Sequence, residues 1–236
     1  MKNLPTLQIQ SSRLNLNARF KRDAPRLLLL ESGILDLLLE HLFDFGARLE
    51  GVQISPNYQL PAQAHLRCPL LGGYGSLSLW PTGFILSFQG GPLPEHPDVP
   101  RSIIPSDLAR IISATMKIVR GVDERTEVGT YDVVFSFEAK LSESSPRDLL
   151  AQYVPAAPVA LGDLSDTAIR FSFRQTSSDR GSWLLVEPST TIQGGLSVHA
   201  TIEFDDATVP VENVPVQLAA RRDALLKHPE FPVIMK

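Results

Sequence analysis

Gly75-Ser76-Leu77-Ser78-Leu79-Trp80-Pro81-Thr82-Gly83-Phe84-Ile85-Leu86-Ser87-Phe88 holds two β-type runs on either side of a turn. Trp80-Pro81-Thr82-Gly83 has proline at the second turn position and glycine at the fourth, which is turn chemistry. The stretch therefore predicts a hairpin over Ser76–Phe88 and, with it, an antiparallel sheet made by short connections. Upstream, Val52–Ile54 and Ala64–Cys68 are further short strand-like segments bounded by Pro and Gly. Downstream, residues 90–105 carry five prolines and read as an extended connection without a core of its own.

The hairpin lies in a region nearly free of charge. From Gly51 to Pro94 the only formal charge is Arg67, although the chain as a whole has 22 Lys plus Arg and 26 Asp plus Glu, a net charge of -4. Tyr58, Tyr74, Trp80, Phe84 and Phe88 fall in the same region. Charge depletion with aromatics marks the core of a protein interface. It equally marks strands covered on both faces.

Outside this region the pattern alternates between strands and helices. Leu7–Phe20 alternates apolar and polar residues, with a break near Ser11-Ser12. A Leu-rich helix is expected from Asp23 as N-cap, through Pro25, to Phe45, ending at Gly46. The clearest amphipathic helix follows the prolines. Leu108, Ile111, Ile112, Thr115 and Val119 share one face, with Arg110, Ser113, Lys117 and Arg120 on the other. Ser106 or Asp107 can cap it, and Gly121 ends it.

The second half predicts a strand over Thr130–Leu141 and a short helix over Pro146–Tyr153 with Ser145 as N-cap. Three strands follow, Ile169–Phe173, Ser182–Glu187 and Leu196–Phe204. A last helix is capped by Asn213 and runs to about Lys227. The fold class is α+β, mainly antiparallel β-meanders packed with three longer helices. Strand, helix, strands, helix occurs twice, and Gly75–Thr82 resembles Gly181–Thr190 with a small insertion. This suggests an internal duplication, with halves at 1–124 and 125–236 packed as one pseudo-symmetric unit.

Several classes of chemistry lack their motifs. No Gly-x-x-x-x-Gly-Lys phosphate loop and no Gly-x-Ser-x-Gly nucleophile elbow occurs. Gly72-Gly73-Tyr74-Gly75 leads into a strand and so lacks the helix N-terminus that favours a phosphate. His65 and Cys68 have metal-like spacing, but an offset of three on a strand sends them to opposite faces. The acidic pairs Asp123-Glu124 and Asp205-Asp206 read as solvated turns. Phe171 and Phe173 interleave with Arg170 and Arg174, yet alternation puts the aromatics and the bases on opposite faces, which reads as a core strand rather than an RNA platform. The acidic balance excludes a generally basic nucleic-acid binder. Charges break up the apolar stretch at 26–43, so no membrane span is expected. The single cysteine and the absence of a signal-like N-terminal apolar run lead to a cytoplasmic expectation.

What remains is binding. The first reading is a non-catalytic protein-interaction or assembly protein, self-associating or part of a bacterial multi-protein complex, with an enzyme ranked third. The alternative is an apolar small-molecule or lipid-binding domain with a pocket between the Leu-rich helix and the sheet. The residues singled out are Tyr74, Trp80, Phe84 and Phe88, with Phe231 and Ile234 of the C-terminal tail. The tail would either dock on its own domain or add as a strand to a neighbour. No catalytic residue, cofactor or metal is expected.

Overall fold

The structure is a computed structural model that describes residues 6–29, 32–55, 64–93, 96–101, 105–141, 145–151, 168–173, 180–226 and 234–235. Its strands are β1 (Thr6–Phe20), β2 (Gln53–Ser55), β3 (His65–Leu70), β4 (Gly75–Trp80), β5 (Gly83–Leu93), β6 (His96–Arg101), β7 (Val128–Leu141), β8 (Ile169–Phe173), β9 (Gly181–Pro188), β10 (Gly195–Asp205) and β11 (Ile234–Met235). Its helices are α1 (Ile34–Leu42), α2 (Pro105–Val122), α3 (Pro146–Ala151) and α4 (Val214–Leu226). Nine strands form one antiparallel sheet in the order β2-β3-β4-β5-β1-β7-β10-β9-β8. The α+β class holds, but the helices are few and short: only α2 is long, at 18 residues, against 9 for α1 and 13 for α4.

The hairpin forms where its turn chemistry puts it, with Gly75–Trp80 paired to Gly83–Phe88. β1 runs beside it for most of its length and pairs on its other edge with β7, so the first and second halves of the chain share one sheet. A register shift between Ile9 and Ser11 is the bulge behind the interrupted alternation of that strand.

Helices cover one face of the sheet. Leu16 and Ala18, Leu66, Cys68 and Leu70, Leu77 and Leu79, Phe84, Leu86 and Phe88 point into the main core. There they meet Ile34, Leu38 and Leu42 of α1 and Leu108, Ile111, Ile112 and Val119 of α2. The charge-free hairpin region thus supplies much of this core. On α2 the five expected core residues are buried, and Arg110, Ser113, Lys117 and Arg120 are exposed. Thr115 is tolerated inside because its hydroxyl donates to the Ile111 carbonyl, 2.8 Å away.

Three expectations are corrected. The first concerns the helix over 23–45, which is interrupted. A 3-10 turn at Pro25–Leu28 has Ala24 at its cap, so Asp23 does not cap it, and α1 starts only at Ile34. Gly33 takes a left-handed conformation (φ 69°), which glycine adopts without a Cβ penalty. Ser32 Oγ accepts the Ile34 N–H and donates to the Leu27 carbonyl, so a side chain competes for the groups a continuous helix would use. The second concerns residues 90–105, which contain a strand pair: β5 extends to Leu93 and pairs with β6. The third concerns Asn213, which lies in a 3-10 turn, Val211–Asn213, ahead of α4. Ser145 does cap α3, since its hydroxyl accepts the Asp148 N–H at 3.1 Å and donates to the Asp148 carboxylate at 2.7 Å. Expectations for Tyr153, residues 155–165, Lys227 and His228 lie outside the described residues.

Tyr131 ties the far end of the sheet to the segment before α4. Its buried hydroxyl donates to the Val209 carbonyl at 2.8 Å, and its ring stacks on Phe204 at 5.0 Å. Burial, with Asp206 and Glu212 nearby, holds the phenol well above its usual range, so it stays a donor. Tyr131→Phe should cost about 1–2 kcal/mol by leaving that carbonyl without its partner. A urea midpoint shift at unchanged m-value checks it.

Candidate functional site

The structure separates the five singled-out residues that it describes. Phe84 and Phe88 are 1% and 3% exposed and face the helices as core residues. Trp80 is on the opposite, helix-free face, where it stacks on His65 with ring centroids 5.9 Å apart. Tyr74 is half-buried at the start of the hairpin, and its carbonyl accepts the Gln89 N–H. Ile234 belongs to β11, which adds in parallel to Thr6-Leu7 of β1, so this part of the tail docks on its own chain. Phe231 lies outside the described residues. These side chains therefore do not converge on one patch.

A different apolar surface emerges from the helix layer. The buried side chains fall into two clusters on the same sheet face. The larger includes Tyr131 and Val133 of β7 under α1 and α2; the smaller includes Phe137, Ala139 and Leu141 of β7 with Leu149 and Leu150 of α3. Phe135 comes between them on β7 and belongs to neither cluster's buried set. It remains 38% exposed, with its ring 5.7 Å from Phe137. α3, over Pro146–Ala151, packs on the smaller cluster through Leu149 and Leu150.

Register links Phe135 to the sheet edge through Ala200 and the buried Leu184, which pack in the smaller cluster. Phe135 pairs with Ala200, Ala200 with Leu184 and Leu184 with Phe171. Phe171, on β8, is 41% exposed. β8 is the last strand in the order, and Arg170 and Ser172 beside Phe171 are exposed too. Among the described residues no strand pairs with its outer edge. Arg170, exposed beside Phe171, places its guanidinium over the Trp183 ring of β9, 4.9 Å from the centroid.

Among the described residues, one polar cluster joins a serine, a histidine and an acid. Ser197 Oγ lies 2.9 Å from His199 Nε2, and Glu187 Oε1 lies 4.0 Å from that same nitrogen. A Ser-His-acid relay needs the acid on the other ring nitrogen, so this is a surface hydrogen-bond cluster. His65 and Cys68 do point to opposite faces, and no group of three metal-ligating residues converges among the described residues. Cys68 is fully buried, and desolvation pushes its thiol up to about 11. It should resist alkylation at pH 8 in the folded protein and react promptly once unfolded. A thiol-reactive dye with and without denaturant measures this.

No protein-family model matches the chain, and no curated protein matches it.

Sequence reasoning placed Phe171 on a core strand because alternation reports which face a residue shares, not whether a helix covers that face.

Proposed function

We propose that the protein is a non-catalytic interaction or assembly protein whose working surface is the β8 end of the sheet. The observation that carries this reading is Phe171, 41% exposed on β8, whose outer edge pairs with no strand among the described residues. Natural sheets usually blunt such edges with charge, proline or a covering segment. An exposed apolar edge strand is a template for another polypeptide.

The two halves sharpen the contrast. Reading outward from the central β1·β7 pair, the order is β5-β4-β3 on one side and β10-β9-β8 on the other. The similar segments Gly75–Thr82 and Gly181–Thr190 contain β4 and β9, the middle strands of the two meanders. This supports duplication of one strand–helix–three strands–helix unit. In the first half the outer strand of the meander, β3, is capped by β2; its counterpart β8 has no such cap among the described residues.

Native mass spectrometry of the protein purified from the cells that make it tests the reading. The chain should appear in an assembly, and Phe171→Asp should release it. A chain found only at its own 26.0 kDa, or an assembly indifferent to that substitution, overturns the proposal.

A further inference from the structure

We draw no further inference here: the strongest candidate, the helix-free face of the sheet, where Glu138 Oε2 is buried without a hydrogen-bond partner across from Ser197 and its contact with His199, carries nothing, because nothing in the structure shows what covers that face.

Discussion

Gly83→Ala is expected to destabilise the protein by about 3 kcal/mol, the upper range for an added methyl with nowhere to go. A Cβ built on Gly83 would stand 2.0 Å from the Ala18 carbonyl oxygen and 3.1 Å from Arg19 Cα. These are backbone atoms of β1, so no side-chain rotation can relieve the clash. The strand must move, and with it the pairing of β1 to the hairpin. For a chain of this size the melting temperature should fall by about 10 °C. Gly72→Ala is the control. Its Cβ would meet nothing within 4 Å, and only its positive φ of 65° opposes the substitution. That should cost about 1 kcal/mol. Equal losses at the two sites would show that close approach at Gly83 is not what the fold depends on.

Phe171→Asp is expected to weaken assembly about 100-fold while leaving the melting temperature of the single chain nearly unchanged. The side chain is 41% exposed, so its removal takes little from the core. On the proposed reading it lies within the interface, where truncation of an aromatic anchor typically costs about 2 kcal/mol or more. A carboxylate adds the cost of burying an unpaired charge. Light scattering over a concentration series reads the effect. Val216→Asp is the matching control: Val216 is 70% exposed on α4, away from β8, and its replacement should leave assembly intact. A loss of assembly in both variants would mean that added charge, not the β8 surface, is responsible.

The parts of the fold readable from sequence were those set by local chemistry. Trp80-Pro81-Thr82-Gly83 specified its hairpin, and the i, i+3, i+4 spacing from Leu108 to Val119 specified the buried face of α2. β7 was evident because Tyr131, Val133, Phe137 and Ala139 alternate and all four are buried. The Leu-rich segment was harder, because leucines filling most sides of a helix look the same whether or not the helix is continuous. Among the described residues its break is carried by Ser32-Gly33.

The charge-free region shows a second limit. Low charge could mean core or interface, and only strand register separates the two. Register sends Phe84 and Phe88 under the helices and Trp80 to the opposite face. Alternation put Phe171 on a core strand, yet Phe171 and Phe135 are 41% and 38% exposed, because alternation does not report what covers a face. The distance between α3 and the larger helix cluster is a tertiary property that no periodicity encodes.

The most direct test of the β8 surface is backbone amide hydrogen exchange over Ile169–Phe173, followed as protein concentration is raised. Pairing of this edge predicts that its outward-facing amides gain protection as assemblies form, and that Phe171→Asp abolishes the gain. Exchange at β8 that stays the same at every concentration, while protection appears elsewhere or nowhere, would contradict the account.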